Sequence, residues 1–257
     1  MLNFALTLDK TLDELRKDVK KVELKTFFIN NGIKSFRTRI ISTYNSAGIK
    51  LSQKEFEENG TIFLTQKSLF NGNIKKGYQN YDRNNEEDSY ELYVFNSRNE
   101  RTELYRNGKK INEYEYENGK VSVVKNLPTG VEELYKYDGN FVAEKFQTPS
   151  KFPNPLNQLL GIKNNGLITS YTNDENGNVL EMTIYDLEEE TIHLLTMNKY
   201  NKQGDKIEMN TFKGDGSIVS NYSYEYQYDE KNNWLSKLEF EKGKLVQVSE
   251  RTIEYFS

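Results

Sequence analysis

The stretch that decides the fold is YSYEYQYDEKNNWLSKLEFEKGKLVQ, residues 222–247. Tyrosine stands at every second position from Tyr222 to Tyr228, and polar residues stand between. Because side chains alternate between the two faces of a β-strand, this spacing predicts a strand with one aromatic face and one polar face. After a polar turn, Trp234 and Phe240 are placed to continue the aromatic face on the next strand. The stretch therefore predicts a hairpin held by aromatic cross-strand pairs.

The same unit recurs along the chain: an aromatic residue, a few polar residues, Asn or Gly, and an apolar residue. Asn-Gly and Asp-Gly supply the positive φ angles that tight hairpin turns need. The turn glycines Gly48, Gly60 and Gly72 are spaced by 12 residues, as expected for short strands joined by tight turns. Copies of the unit are YNSAGI at Tyr44, FEENGTI at Phe56, YRNGKKI at Tyr105, YENGKV at Tyr116, YTNDENGNV at Tyr171 and YNKQGDKI at Tyr200.

The amino-terminal segment has a different pattern. Thr11 and Glu14 have the spacing of a capping box. Leu15, Val19 and Val22 follow at intervals that place apolar side chains on one face of a helix. The pattern predicts an amphipathic helix that covers one end or face of a sheet.

A proline-rich segment interrupts the repeats. Residues 148–166 hold three of the four prolines, which cannot donate to a sheet ladder, and predict a connection with a short helix around residues 156–162. The predicted segments are a helix with a lead-in strand over 1–38, a hairpin-repeat sheet over 39–147, this connection, and a second hairpin-repeat sheet over 167–257. The predicted fold class is mainly β: an antiparallel meander of consecutive hairpins, open and extended or curved, with an N-terminal helix.

Composition excludes several classes of function. The 35 basic and 39 acidic residues give a net charge of −4 without a basic block, which argues against a nucleic-acid partner. The chain has no cysteine, so disulfides and thiolate chemistry are excluded. No apolar run reaches the roughly 20 residues of a membrane span. The sequence predicts a cytoplasmic location for a full-length chain, and a periplasmic or cell-surface location if a signal peptide has been removed.

The sequence carries little catalytic chemistry. His193 is the single histidine and stands in a predicted strand, without a nucleophile motif or a second histidine for a metal. Acidic clusters at 86–88 and 188–190 are typical of solvated surface, although two carboxylates can hydrolyse a glycosidic bond. Residues 172–183 lack the first and last acidic ligands of a calcium loop. We therefore predict no catalytic residue, no metal ligand and no cofactor.

The units YDEKNNW at Tyr228, YNKQGDKI and YTNDENGNV resemble the YD repeats of Rhs-type proteins, in short forms of the Bacteroidetes type. The units YRNGKKI and YENGKV are similar to MORN-type repeats of antitoxin-like proteins. This resemblance implies a curved or extended antiparallel sheet that binds another protein or a glycan.

The predicted function is a non-catalytic protein-binding module. It would be an immunity or antitoxin-like protein, or an accessory protein of a bacterial toxin, injection or phage-related system, with a protein such as a toxin as partner. The alternatives are a cell-surface or periplasmic glycan-binding protein and, less favoured, a glycosidase with two carboxylates. The predicted partner-binding residues are Tyr222, Tyr224, Tyr226 and Trp234, because exposed aromatic rings are common in protein interfaces and stack on sugars.

Overall fold

The computed structural model describes residues 15, 18–72, 74–150, 166–187 and 190–257, and within them the chain is built from 18 β-strands. The strands are β1 (Val19–Asn30), β2 (Ile33–Tyr44), β3 (Lys50–Phe56), β4 (Ile62–Asn71), β5 (Ile74–Tyr81), β6 (Glu87–Phe95), β7 (Arg101–Arg106), β8 (Lys109–Glu117), β9 (Lys120–Asn126), β10 (Val131–Asp138), β11 (Phe141–Gln147), β12 (Leu167–Asn173), β13 (Val179–Asp186), β14 (Thr191–Tyr200), β15 (Lys206–Lys213), β16 (Ile218–Tyr228), β17 (Trp234–Glu241) and β18 (Lys244–Tyr255). Within the described part of the chain, no helix has the length and apolar character needed to cross a membrane.

The described residues form two compact units, and β16 contributes to both. In the first unit, Val94–Tyr222, each strand from β7 to β15 pairs antiparallel with the next one in sequence. Strand β11 pairs directly with β12, so the sheet continues across the proline-rich connection. The predicted antiparallel meander of hairpins is confirmed in this unit.

The second unit comprises residues 15–93 and 223–257. Strands β1 to β6 again pair in sequence order, and β17 pairs with β18. The last strand, β18, also pairs antiparallel with β1, which places Val22 opposite Ile253. Strand β1 therefore has a hydrogen-bonded neighbour on both of its edges.

The tightest turns have the backbone geometry that the Asn-Gly pairs predict. Asn31 and Gly32 have φ angles of 50° and 77°, and Asn118 and Gly119 have angles of 51° and 75°. Two consecutive positive φ angles define the type I′ turn, whose twist matches that of the two strands it joins. Asparagine and glycine occupy these positions because other residues adopt positive φ only at a steric cost.

A second turn type explains the aspartate that follows tyrosine in the YD-like units. The carboxylate of Asp229 accepts hydrogen bonds from the backbone N–H groups of Lys231 and Asn233, both at 2.9 Å. Asp82 and Asp174 close their own turns in the same way. Each aspartate satisfies backbone donors that the turn leaves unpaired, and Asp229 also accepts a hydrogen bond from the hydroxyl of Tyr255 on β18.

The core is thin and contains many polar groups. Among the described residues, seven hydrophobic side chains are buried, against twelve polar or charged ones. The buried hydroxyl groups of Thr26 and Ser249 face each other at 3.4 Å on paired strands. Tyrosine supplies much of the remaining apolar surface, and the hydroxyl of Tyr137 donates to the carbonyl oxygen of Val121 at 2.9 Å. Burial also raises the pKa of Tyr137, as expected for a phenol held away from water.

The predicted N-terminal helix is wrong where the structure describes it. Val19 and Val22 lie in β1, and residues 1–14 and 16–17 lie outside the described residues. The register of β1 against β18 shifts between Val19 and Lys21, and this bulge inserts one extra residue. Val19 and Val22 therefore share the buried face although they are three residues apart. The short helix predicted around 156–162 falls among residues that the structure does not describe.

Candidate functional site

The three predicted tyrosines lie on the less exposed face of β16. Tyr222, Tyr224 and Tyr226 are all half-buried, whereas the alternate residues, a serine, a glutamate and a glutamine at 223, 225 and 227, are exposed. The alternation expected from the sequence is present, and the polar face is the one that meets solvent. Lys237 lies over the rings of Tyr224 and Tyr226, at 4.9 and 5.7 Å from their centroids. Contact of these tyrosines with a partner stays a prediction.

Trp234 is deeply buried, with 3% of its surface exposed. The guanidinium carbon of Arg251 covers one face of the indole, and Tyr226 approaches it edge-on with 6.3 Å between ring centroids. The ring is therefore occupied by contacts within the second unit. Its role as a partner contact has no support from this geometry.

The hairpin formed by β1 and β2 extends beyond the neighbouring strand. Strand β2 begins at Ile33, but its pairing with β3 begins only where Arg39 lies opposite Phe56. The segment 33–38, which we call the open edge, is bonded to β1 on one side. No described strand pairs with its other side. An unpaired edge of this kind is a site where another extended chain can add.

Two large apolar side chains on this hairpin are exposed. Ile33 is 71% exposed and Phe28 is 47% exposed. Phe27 and Phe36 lie on paired strands nearby and contact each other edge-to-face, with centroids 6.4 Å apart. Contiguous exposed apolar groups on a protein surface often mark a binding site. The hairpin is therefore the candidate interaction surface of the second unit.

Basic side chains surround these aromatic rings. The ammonium nitrogen of Lys34 lies 3.9 Å from the centroid of Phe27, and the guanidinium carbon of Arg37 lies 4.6 Å from that of Phe28. Residues 19–44 contain six basic side chains and one acidic one, in a chain of net charge −4. That single acid, Glu23, accepts a hydrogen bond from Arg39, which is the largest cause of its lowered pKa. Lys34 also forms a salt bridge with Glu250 of β18, the strand paired with β1, at 2.7 Å, and Arg37 donates to the side-chain oxygen of Gln247, so the hairpin presents aromatic rings beside cations that are paired within the unit.

The predictions from sequence do not include this hairpin, because they assign residues 1–38 to a helix and one lead-in strand. The signal was present in the sequence FFINNGIKSF, residues 27–36, where an Asn-Gly pair separates two apolar segments. That arrangement is the strongest short-range pattern for a hairpin with a type I′ turn. The excess of basic residues over 19–44 is also present in the sequence. The net charge of the whole chain, −4, gives no indication of it.

The structure gives His193 a partner that the sequence did not reveal. Its Nε2 atom lies 3.3 Å from Oδ2 of Asp186, a fully buried carboxylate at the end of β13. His193 lines a cleft of about 730 Å³ in the first unit, together with Tyr185, Lys213 and Asp215. A carboxylate that holds an imidazole fixes the orientation of the ring and its tautomer. The cleft can therefore offer a fixed hydrogen-bonding group to a ligand.

The two acidic clusters fall in different units. Glu86 and Glu87 lie at the exposed start of β6, and Glu190 lies in the first unit, where it lines the cleft beside His193. Residues 188–189 are outside the described residues. In the part of the chain that the structure describes, no group of three or more His, Asp or Glu side chains is placed to hold a metal ion.

Comparison with known proteins gives no family. No protein-family model matches the chain, and no curated protein matches it. A porin-like protein from Bacteroides uniformis ATCC 8492 is 11% identical over 93% of this chain and 99% of its own, with a TM-score of 0.33. A putative outer membrane lipoprotein-sorting protein domain from Vibrio parahaemolyticus is 7% identical over 98% of this chain and 92% of its own, with a TM-score of 0.27. The structure of TcdB2-TccC3-TEV is 10% identical over 90% of this chain and 16% of its own, with a TM-score of 0.21. These low values indicate neither a family nor an activity for this chain.

Proposed function

We propose that this chain is a non-catalytic protein-binding module that engages its partner through the hairpin of β1 and β2. The proposal rests on the exposed apolar and basic surface around Phe28 and Ile33. Aromatic and arginine side chains are enriched in protein interfaces, where they contribute most of the binding energy. Proteins with an immunity or antitoxin-like role, or with an accessory role in a bacterial toxin, injection or phage-related system, act by binding another protein. Such a role is consistent with the proposed binding module.

A glycan partner is the weaker alternative. Sugar rings stack on aromatic faces that are open to solvent, whereas the tyrosines of β16 are half-buried and two of them lie beneath Lys237. A glycosidase would need two carboxylates held about 5 to 10 Å apart across one sugar ring. The location is proposed as the sequence predicts it: cytoplasmic, or periplasmic or at the cell surface when an export signal precedes the chain.

The test uses two pairs of substitutions matched for exposure. Phe28→Ser with Ile33→Ser alters the hairpin at sites 47% and 71% exposed. Met197→Ser with Ile218→Ser is the control, at sites 47% and 62% exposed in the first unit. Each tagged chain captures proteins from the native lysate, and every captured protein is then purified and its affinity for each variant is measured.

We expect the purified partner to bind the hairpin variant at least about tenfold more weakly than the wild type, because central apolar contacts dominate binding energy. The control variant should bind within about threefold of the wild type, since isolated exposed side chains outside an interface contribute little. Equal affinity for both variants would rule out the hairpin as the binding surface. A captured glycan without any protein would favour the alternative function.

A further inference from the structure

We propose that the cleft beside His193 in the first unit is a second binding site, which takes a short peptide with both of its termini free. The site is independent of the hairpin in the second unit and adds the binding of a small ligand to the proposed function. Its volume of about 730 Å³ falls within the range of ligand pockets in proteins, roughly 300 to 1,000 Å³. Three features of the cleft select this ligand: its charges, its apolar groups and its length.

Two opposite charges in the cleft have no partner among the described residues. Lys213 and Glu190 both line the cleft, and neither forms a salt bridge or a side-chain hydrogen bond with a residue that the structure describes. The other acidic group in the lining, Asp215, is held in its own turn, where it accepts a hydrogen bond from the backbone N–H of Ser217 at 2.8 Å. A purely anionic ligand would be repelled by Glu190, and a purely cationic one by Lys213. A ligand with one charge of each sign satisfies both.

The backbone at Glu190 adopts a conformation that glutamate does not favour. Its φ is 52°, in the left-handed region that residues other than glycine adopt at a steric cost. Seven of the nine described non-glycine residues with a positive φ are Asn or Asp, which tolerate this region best. The turn alone favours these shorter side chains, so the reach of the Glu190 carboxylate is a feature that local structure does not explain. Strained residues of this kind cluster at binding sites.

The cleft has apolar groups and a rigid border. Ile192, Leu194 and Tyr185 supply the apolar groups. The backbone N–H of Gly214 donates to the carbonyl oxygen of His193 at 3.1 Å, and a Cβ atom at Gly214 would overlap the carbonyl oxygen of Ile192. The end of β15 therefore lies directly against β14. A border that is already fixed lowers the entropy lost on binding, and its apolar groups favour apolar side chains in the ligand.

His193 supplies a hydrogen-bonding group in a fixed orientation. Its Nε2 atom donates to Asp186, because an ionised carboxylate can only accept, and Nδ1 is left as the ring atom that accepts from a ligand. Glu190 directly precedes β14, so it lies at the same end of that strand as His193. The amino terminus of a peptide is thus placed at the start of β14. Its carboxylate is placed at Lys213, the last residue of β15.

The spacing of the two charges sets the length of the peptide. Lys213 lies opposite Leu194, which is four positions along the chain from Glu190. At about 3.3 Å per residue this separation is roughly 13 Å along the strand, and the two long side chains reach over part of it. An extended tripeptide spans roughly 10 Å. A peptide of about three residues therefore fits between the two charges.

The test uses trileucine as the probe and the single histidine of the chain as the reporter. When the chain is labelled with ¹³C-histidine, the ring signals in the NMR spectrum belong to His193 alone. Trileucine, N-acetyl-trileucine and trileucine amide are titrated into the full chain at pH 7. We expect trileucine to shift the ring signals and to bind at least about threefold more tightly than either blocked peptide, because each blocked end loses one contact between charged groups.

Two variants assign the ends of the peptide. Glu190→Gln should bind trileucine and its N-acetyl form equally, while it still prefers trileucine to the amide. Lys213→Met should show the reverse. Both residues are exposed, so neither substitution disturbs the packing of the sheet. The control is Lys202→Met, at an exposed lysine in the turn at the other end of the β14–β15 hairpin, and it should keep both preferences.

Unchanged ring signals at millimolar trileucine, or equal binding of the three peptides to the wild type, would refute the site. A Glu190 or Lys213 variant that keeps both preferences would refute the charge pattern that selects a peptide with free ends. These titrations involve neither the hairpin nor its partner, so their failure would leave the proposed protein-binding function standing. Likewise, a hairpin variant that retains its partner would leave the peptide site standing.

Discussion

The guanidinium carbon of Arg251 on β18 lies 3.4 Å from the centroid of the Trp234 ring on the paired strand β17. A cation over an indole face is a favourable contact, and it is stronger when water is excluded. Because the ring is almost fully buried, this contact belongs to the packing of the sheet. Trp234, which the aromatic pattern in the sequence singled out, therefore stabilises the fold.

We predict that Trp234→Ala lowers the free energy of unfolding by about 3 to 5 kcal/mol, the usual loss for a buried tryptophan. Urea denaturation followed by circular dichroism measures this loss. Leu235→Ala, at the next position and partly exposed, is the matched control and should lose about 1 kcal/mol or less. Similar losses for both variants would contradict the anchoring role of the indole.

The turn after β16 provides a second prediction. Asp229→Ala removes the acceptor of two backbone N–H groups and of the Tyr255 hydroxyl, and we expect a loss of about 2 kcal/mol of stability. Asp229→Asn should recover most of it, because Asn201 accepts the equivalent two bonds in its own turn. Glu230→Ala, at an exposed position of the same turn, should change stability by less than about 0.5 kcal/mol. A failure of asparagine to rescue would show that the carboxylate has another essential role.

The local rules of this fold are readable in the sequence. Turn type follows from residues that accept positive φ, as at Asn118 and Gly119, and strand faces follow from the alternation around Tyr224. These signals succeed because they depend only on neighbouring residues.

The parts that sequence reasoning missed depend on distant residues. The bulge after Val19 is fixed by pairing with Tyr255, more than 200 positions away, and it produces the three-residue spacing of a helix inside a strand. The open edge of β2 likewise exists only because β3 ends opposite Arg39. The partner of His193, Asp186, lies on the paired strand β13. The register of β13 against β14 shifts between Ile184 and Tyr185, and the alternation of residues along either strand does not reveal this shift.

A third prediction concerns alkaline pH. Burial, followed by a hydrogen bond to Asp229, raises the pKa of Tyr255 to about 12 from its usual value of 10.0. Because the folded state holds the proton more tightly than the unfolded chain, the associated stability is complete below pH 10 and is lost as the pH rises toward 12.

Tyr255→Phe should therefore reduce the dependence of the urea midpoint on pH in the range from 10 to 12. Its midpoint at pH 8 should also fall, because Asp229 and Asn233 lose their shared phenol partner. Midpoints measured across this range for the wild type and the variant provide the comparison. Parallel curves would mean that Tyr255 does not couple ionisation to folding.

The last prediction concerns a glycine inside a strand, where a turn does not explain it. Gly77 in β5 has a φ of 149°, and a Cβ atom added there would lie 1.9 Å from the carbonyl oxygen of Glu91 on the paired strand β6. That atom belongs to the backbone of a ladder, so it cannot move aside without breaking the pairing. We expect Gly77→Ala to lower the free energy of unfolding by about 3 kcal/mol or more, by overpacking at a rigid contact.

Gly60→Ala is the control. Its φ is also positive, at 85°, but no atom lies within 4 Å of an added Cβ, so this variant should lose only about 1 kcal/mol of stability. Thermal and urea unfolding measure both variants, and equal losses would mean that backbone strain alone, without the contact to β6, explains the glycine.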